Sequence, residues 1–362
     1  MTTLPDSLLK LKLAMCCPVG WDGTSLVRGE GPFFSMSRQD RRLEIELCPE
    51  VEGQQQITWN WIARNDVLFL QRPFRDIDIH AAILARMMNR PVWVDWDDDL
   101  TCLHPANVHA KLYPPEKMRA TMGKLITLAD VVTVTTEALK RKCEELGGHG
   151  RAGAPSHADK IRIIPNACHW PFSTAQRQRR VTWRGGHSHD ADVMEFLPAI
   201  AEAARLPQFS QWKWCFLGEP PWQVKEAIPA DRFEQWADQP HMYMPAFGYL
   251  GPWVNIVPLK DSAFNRSKSN LAWIEGTCAG AITVAPNWEE WKRPGTVQYD
   301  GAGDFGKVLR IVMGGFGDGG GHVTDSRRFI QDNLLLDHVN QRRWVVLQEL
   351  MSREGAKEAK AA

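Results

Sequence analysis

Short apolar runs alternate with segments of helical spacing along the first half of the chain. The runs predict strands at 11–15, 66–71, 91–95, 131–135 and 161–164, and the intervening spacing predicts helices at 76–88, 118–128 and 137–146. Strands that are apolar throughout and alternate with helices are typical of a parallel sheet covered on both faces. Glycines after the first strand predict a turn over 20–34, at Gly20, Gly23, Gly29 and Gly31.

A polar segment at 173–180 interrupts this pattern, which then restarts. Strands are predicted at 181–183, 214–217, 256–258 and 282–285, and helices at 190–204, 270–279 and 308–313. Two successive sets of this kind predict an α/β protein of two Rossmann-like domains facing a central cleft, where ligands should bind. We place the domains at 1–172 and 181–325, followed by a helix at 326–351 that packs back on the first domain and a flexible tail at 352–362.

Composition narrows the choice of partners. The 362 residues suit two domains, and lysine plus arginine equals aspartate plus glutamate at 43 each. With no net charge, nucleic-acid binding would need a local basic patch, and 177–184 with Arg342 and Arg343 is the one candidate. Eight scattered cysteines without a CxxC pair predict reduced thiols. No apolar run approaches the ~20 residues of a membrane span, so we expect a cytoplasmic protein.

A glycine pair lies between a predicted strand and a predicted helix, in the tract WRGGHSHDAD at 183–192. Gly185 and Gly186 would let the backbone approach a ligand, and the free N–H groups of a helix start suit an anion. His187 and His189 are candidates for hydrogen bonds to phosphate or sugar. A metal is not expected there, because no carboxylate or cysteine completes a ligand set at the usual spacing.

A polar loop precedes the helix predicted at 270–279. It supplies Asn265, Arg266, Lys268 and Ser269. Basic residues before a helix suit the charge-assisted hydrogen bonds of a nucleoside diphosphate. Within the apolar helix, Glu275 needs a partner, because an unpaired buried carboxylate is costly, and ribose hydroxyls are one candidate. The alternative is a helix cap with a solvated charge.

Carboxylates follow the strand predicted at 91–95, at Asp95, Asp97, Asp98 and Asp99. They would form a metal-binding Asp-x-Asp site, an acid cluster that pairs with an arginine, or a helix cap. Arg72 follows another predicted strand, and Arg28 is the charged residue within the glycine-rich turn.

Several tracts together resemble GT-B glycosyltransferases of family 4 (glycosyl transferases group 1). Glu275, Gly276 and Gly280 before AITVA resemble the family's ribose-binding motif, IRIIPN at 161–166 its interdomain signature, and ADVVTVTTEAL at 129–139 a first-domain motif. WRGGHSH, FNRSKS, the Gln-Arg at 71–72 and the aspartate tract resemble a subgroup common in bacterial and phage genomes. Two positions depart from the family: its first glutamate falls on Ser267, and Asn166 is followed by Ala167 rather than glycine.

The resemblance implies a GT-B enzyme that transfers a sugar from a nucleoside-diphosphate donor to an acceptor hydroxyl on a glycan, a lipid or a modified DNA base. It implies retention of configuration and no metal or other cofactor. Three alternatives stay open: a phage-type DNA-base glycosyltransferase, a metal-dependent GT-A-like transferase, and a non-catalytic nucleotide- or sugar-binding protein. The expected catalytic residues are His189, Lys268 and Asp97; the donor residues are Gly185, Gly186, His187, Asn265, Arg266, Ser269 and Glu275; the acceptor or cleft residues are Arg28, Arg72, Asp95 and Asp98.

Overall fold

A computed structural model describes residues 10–17, 23–105, 107, 110–148, 157–236, 240–317 and 320–361, with side chains except at 240–243 and 353–361. The first half contains β1 (Leu11–Cys16), α1 (Gly23–Arg28), α2 (Glu30–Gln39), β2 (Leu43–Leu47), β3 (Glu50–Val51), β4 (Gln54–Gln55), α3 (Trp59–Ala63), β5 (Val67–Gln71), α4 (Asp76–Met87), β6 (Val92–Trp96), α5 (Pro115–Leu128), β7 (Val131–Val134), α6 (Glu137–Leu146) and β8 (Ile161–Ile163).

The second half contains β9 (Gln178–Gly185), α7 (Asp190–Arg205), β10 (Lys213–Gly218), α8 (Trp222–Ala227), β11 (Phe233–Trp236), α9 (Pro240–Leu250), β12 (Pro252–Ile256), α10 (Ala263–Ser267), α11 (Leu271–Ala279), β13 (Ile282–Pro286), β14 (Val297–Tyr299), α12 (Gly301–Gly314), α13 (Gly320–Asn333) and α14 (Leu336–Ala361).

Two six-stranded parallel sheets confirm the predicted architecture. The first has the order β2-β1-β5-β6-β7-β8 and the second β11-β10-β9-β12-β13-β14. Their central strands are almost fully buried, which is why they read as unbroken apolar runs. In each sheet the chain order reverses beside the first strand, β1 or β9. Ligands of open α/β sheets bind at the carboxyl ends of the strands near such a reversal.

The C-terminal helix packs back on the first domain, as expected. The Asn340 side-chain amide donates to the backbone oxygen of Pro32 at 3.3 Å, and Arg162 pairs with Glu349 at 2.6 Å. The prediction of one helix over 326–351 is wrong in detail: α13 ends at Asn333, and α14 begins at Leu336 and continues to Ala361 over the predicted tail. Cys168 forms a β-bridge with Leu335, at the break between the two helices.

The glycine-rich turn predicted over 20–34 is also wrong within the described residues, which form α1 and α2 from Gly23 onward; Gly20 lies outside them. The glycines serve close packing around the two helices. A Cβ at Gly29 would lie 2.6 Å from the sulfur of Cys17, and one at Gly31 would lie 2.0 Å from the backbone oxygen of Leu26. Residues without a side chain are therefore needed where the helices meet.

Candidate functional site

A cavity of about 630 Å³ lies between the two sheets, at the carboxyl ends of their strands. Both domains line it, and several contacts, including the following, hold them together beside it. The Thr136 hydroxyl donates to the backbone oxygen of Ser267 at 2.8 Å, and the Asn166 amide donates to the Ser269 hydroxyl at 2.7 Å. Phe264 of the second domain is buried in the core of the first. The cavity is therefore a cleft with one wall formed by the first domain and the other by the second domain.

The glycine pair lies where the sequence predicted it, on the second-domain wall. Gly185 ends β9, and a Cβ there would lie 2.5 Å from the indole ring of Trp183. A Cβ at Gly186 would meet no atom within 4 Å, so the backbone there is open to the cavity. A single 3₁₀ turn then leads into α7 at Asp190. The start of a helix therefore faces the cleft with its backbone accessible, a geometry that suits an anion.

Lys268 and His189 meet on the same wall. The Lys268 ammonium nitrogen lies 3.2 Å from Nε2 of His189, and Nδ1 of His189 lies 3.1 Å from a carboxylate oxygen of Asp192. Burial and the Lys268 charge lower the pKa of His189 to about 4. The imidazole is therefore neutral near pH 7, and Lys268 is held without being neutralised.

Burial also lowers the pKa of Lys268, while the carboxylates of Asp98 and Asp192 oppose this effect. Its ammonium group lies over the ring of Phe264, 4.7 Å from the centroid. Lys268 is thus a cation in a restricted setting, with an aromatic face and a neutral imidazole as its nearest partners. Such a cation interacts more strongly with an anionic ligand than a solvated one would.

Glu275 has a protein partner rather than an open path to a ligand. Its side chain is 0% exposed, and a carboxylate oxygen lies 2.5 Å from Nε of Arg184. Arg184 lines the cavity and Glu275 does not. The expectation that a buried carboxylate in α11 needs a partner is confirmed, but the partner is an arginine. In this structure Glu275 supports Arg184, which presents a second cation to the cleft.

The first-domain wall carries carboxylates that are already paired. Arg72 binds both oxygens of Asp97, at 2.8 and 2.6 Å, and one oxygen of Asp98, at 2.9 Å. Burial alone would lower the pKa of Arg72, but the two carboxylates outweigh it and raise the pKa. Burial and the charge of Asp97 raise the pKa of Asp98. All three residues line the cavity, as expected, and they hold two carboxylates against one guanidinium.

Asp95 does not line the cleft, so its expected contact with an acceptor is wrong for this structure. It is buried against Arg28, with Nε–Oδ1 and Nη2–Oδ2 distances of 3.0 and 2.5 Å, and it also accepts from the Thr133 hydroxyl. Arg28 touches the cavity, but its Nη1 donates to the backbone oxygens of Ile164 and Pro165 and to the side-chain oxygen of Asn166. The pair joins α1 to the segment between the domains, and its polar atoms are occupied.

Three expected donor residues lie away from the cavity. Arg266 is half exposed, pairs with Asp261 at 2.6 Å and covers the Trp288 ring, so its guanidinium is engaged elsewhere. His187 is exposed and lies 2.7 Å from Glu219, which helps to raise its pKa after the larger effect of Asp190. Asn265, the third of these residues, is buried behind the residues that line the cavity. Ser269 lines the cavity, as expected.

The sequence analysis gave three site residues no role in the site. Arg184 occurred in a basic run and in the tract at 183–192, and its position at the end of a strand before a glycine pair was a usable signal. Asp192 follows His189 by three positions at the start of a helix, a spacing at which side chains meet. Nothing in the sequence indicated that Asn166 would reach across to Ser269.

Among the described ranges, no group of three or more histidine, cysteine, aspartate and glutamate side chains is arranged to hold a metal ion. The aspartates Asp95 and Asp97, at the end of β6 and after it, are instead divided between Arg28 and Arg72. No helix in the described part of the chain is long and apolar enough to cross a membrane.

Comparison with known proteins identifies the fold. No family model and no curated protein matches the chain. Among solved structures, Anabaena HepE in complex with UDP matches at a TM-score of 0.65 with 10% identity, covering 94% of this chain and 100% of HepE. The HepE complex with UDP-glucose gives 0.64 with 12% identity and the same coverage. The UDP-forming α,α-trehalose-phosphate synthase of Burkholderia vietnamiensis gives 0.61 with 11% identity, covering 96% and 98%. The chain has the GT-B fold, as its sequence predicted.

Proposed function

We propose that this chain is a glycosyltransferase that moves a sugar from a nucleoside diphosphate to an acceptor hydroxyl. The proposal starts from the GT-B fold and from the ligands bound in its structural neighbours, UDP and UDP-glucose. The observation that carries it is local to this chain. Lys268, held by a neutral imidazole at 3.2 Å, lies on the same wall as the open backbone at Gly186 and the start of α7.

The donor diphosphate would lie against the second-domain wall. There Lys268, Arg184 and the N–H groups after Gly186 can meet its oxygens with charge-assisted hydrogen bonds. Much of the rest of that wall is apolar and suits the flat base, with Ile256, Val257, Pro258, Leu259, Leu271 and Trp291. This arrangement combines one polar end with an apolar wall, as expected of a nucleotide site.

Transfer breaks the bond between the anomeric carbon and the diphosphate oxygen and forms a bond from the same carbon to the acceptor oxygen. Negative charge grows on the departing diphosphate, and fixed cations that already face it lower the barrier without reorganising. We propose Lys268 and Arg184 for this role, with no metal required. The acceptor proton leaves with the diphosphate or on a cleft carboxylate, and we propose retention of configuration at the anomeric carbon.

The acceptor would lie against the first-domain wall, where Asp97 and Asp98 can accept hydrogen bonds from hydroxyl groups. Among the described residues of this wall, both arginines are engaged by carboxylates: Arg28 by Asp95 and Arg72 by Asp97 and Asp98. A polyanion such as DNA would find little unneutralised positive charge there. A neutral hydroxylated acceptor, such as the sugar of a glycan or glycolipid, therefore fits this wall better than a DNA base does.

The fold contradicts the GT-A-like alternative, because the chain forms two separate six-stranded sheets. A non-catalytic binding protein differs from a transferase in turnover. An epimerase is a further outcome to distinguish, because a candidate UDP-N-acetylglucosamine 2-epimerase from Listeria monocytogenes shares the fold at a TM-score of 0.59 and 10% identity. Donor cleavage with transfer would support the proposal, whereas an unchanged nucleotide bond with a changed sugar would support the epimerase.

A thermal-shift screen of nucleoside diphosphates and their sugars tests the donor site first. A ligand at a hundred times its dissociation constant adds about 2.7 kcal/mol to the unfolding free energy, which is a readily measured shift. We expect UDP or another nucleoside diphosphate to stabilise the wild type and to lose most of this effect in Lys268→Ala. If no nucleotide shifts the melting temperature at millimolar concentration, the proposed function is wrong.

A further inference from the structure

We propose that Asp192 is a positioning residue that fixes the tautomer of His189, and that His189 in turn aims the ammonium group of Lys268 at the diphosphate. The proposed function supplies the ligand, so the inference about the diphosphate rests on it. The inference about the tautomer rests on geometry alone. It assigns His189 a supporting role in place of the catalytic contact with substrate that the sequence suggested.

The hydrogen bonds around Asp192 determine which nitrogen of His189 carries the proton. One carboxylate oxygen accepts from the Asn265 amide at 2.6 Å and from the backbone N–H of Lys260 at 3.2 Å. The other oxygen faces Nδ1 of His189 at 3.1 Å. An ionised carboxylate only accepts hydrogen bonds, so Nδ1 must be the donor. Asn265 and Lys260 thereby fix the carboxylate, and the carboxylate fixes the imidazole.

The opposite nitrogen then has a free lone pair. Nε2 of His189 lies 3.2 Å from the Lys268 nitrogen, and an ammonium group only donates. The tautomer with its proton on Nδ1 therefore satisfies both contacts. The reverse tautomer would direct an N–H at the ammonium and a lone pair at the carboxylate, and both contacts would be repulsive. The low pKa of His189 keeps the ring neutral, as this chain of bonds requires.

A neutral anchor matters because Lys268 has to keep its charge for the ligand. A carboxylate in the place of His189 would cancel much of that charge, while no anchor would leave a flexible side chain on a four-carbon stem. Asp192 lies one imidazole away, and its charge opposes the lowering of the Lys268 pKa by burial. His189 therefore fixes the direction of the Lys268 ammonium group, and Asp192 favours its protonated form.

Asp192→Asn tests the relay with a nearly isosteric change. If the amide oxygen stays with Asn265 and Lys260, the new NH₂ group faces Nδ1 of His189. Nδ1 must then accept, and its proton moves to Nε2, where it opposes Lys268. We expect ¹⁵N NMR of the histidines to show protonated Nδ1 at His189 in the wild type and protonated Nε2 in the variant. Donor turnover should fall about ten- to a hundredfold, the range found when a partner that orients a metal-bound histidine is lost.

Asp190→Asn is the matched control, because Asp190 occupies the same first turn of α7 but faces His187 outside the cavity. It removes the same charge from the helix start and should change turnover less than twofold. A cooperative unfolding transition of Asp192→Asn at a melting temperature close to that of Asp190→Asn would show that a loss of turnover is not due to misfolding.

Two results would overturn the inference. His189 could keep a protonated Nδ1 in Asp192→Asn, or the two single variants could lose turnover equally. The proposed function fails separately, if the wild type binds no nucleoside diphosphate, and the NMR measurement needs no ligand. Failure of the relay and failure of the donor site are thereby distinguishable.

Discussion

The two walls of the cleft hold their cations in different ways. On the first-domain wall, Arg72 is held by two carboxylates, so its charge is neutralised before any ligand arrives. On the second-domain wall, Lys268 is held by the neutral imidazole of His189. Both cations have a fixed direction, but only one keeps its charge for a ligand. The chemical nature of the anchor, more than the presence of a cation, separates a structural residue from a binding one.

Arg184 falls between these two cases. Its partner is the carboxylate of Glu275, which is completely buried in α11. Arg184 itself lines the cavity. Arg184 lines the cavity next to Gly185 and Gly186, so its planar guanidinium can contact a diphosphate bound there. We therefore expect Arg184 to contribute to donor binding with a weaker effective charge than Lys268.

The largest effect should follow from Lys268→Ala. If its charge faces the departing diphosphate, turnover should fall about 10²- to 10³-fold, as it does when one stabilising donor is removed from an active site. The affinity for the donor should fall less, because the charge on the leaving group grows in the transition state. Initial-rate kinetics with varied donor would measure both. Lys307→Ala, at an exposed position on α12, is the control and should behave as the wild type.

A loss of donor affinity with unchanged turnover would mean that Lys268 only holds the donor. The two walls would then still differ, but only in how strongly their cations bind the donor in the ground state. If Lys268→Ala and Lys307→Ala had the same turnover and donor affinity, the proposed difference between the walls would be wrong.

Arg72→Ala should mainly lower stability, since its charge is used within the wall. Removing it takes away the guanidinium that pairs with two neighbouring carboxylates. Breaking a buried pair costs about 3–5 kcal/mol, and partial exposure of all three side chains reduces the expected loss to about 2 kcal/mol. Urea unfolding with an unchanged m-value would measure it. Removing Asp98 as well should return part of the loss, because the two residues are coupled.

An Arg72→Ala protein of wild-type stability but without turnover would contradict this view. It would place Arg72 among the residues that contact substrate, and the contrast with Lys268 would disappear. Arg72→Lys helps to distinguish the cases, because a lysine keeps the charge but cannot bind two carboxylates in the same bidentate way.

The sequence was sufficient for the two sheets because their central strands are buried on both faces. The edge strands β2, β11 and β14 were missed; they are short or partly exposed and lack an unbroken apolar run. The glycine pair and Lys268 were placed on the correct wall, because the ends of parallel strands lie along one edge of a sheet. The position of a residue relative to a strand end is a local property, so it can be predicted from the sequence.

Pairing between distant residues was beyond the sequence. Arg28 and Asp95 are 67 positions apart, and His189 and Lys268 are 79 positions apart. Most of the charged groups were recognised, but a sequence does not say which carboxylate meets which arginine. That pairing decides whether a group faces the ligand. Asp95 pairs with Arg28 and does not line the cleft, and Arg266 pairs with Asp261. Arg184 pairs with Glu275 and lies between it and the cavity.

The smallest expected effect is that of a metal chelator, which we predict to leave activity unchanged. A divalent ion bridging the donor phosphates would need the Asp97 and Asp98 oxygens as ligands. Arg72 already occupies both oxygens of Asp97 and one of Asp98, so an ion would first have to displace a guanidinium with three hydrogen bonds. On the opposite wall, Lys268 and Arg184 can neutralise the diphosphate directly. Donor turnover measured in excess EDTA, with and without added Mn²⁺, should therefore agree within twofold. The opposite result would be a loss of turnover in EDTA that Mn²⁺ restores in the wild type but not in Asp97→Asn. It would show that the first-domain wall binds the diphosphate through a metal and that Arg72 is not the functional partner of its carboxylates.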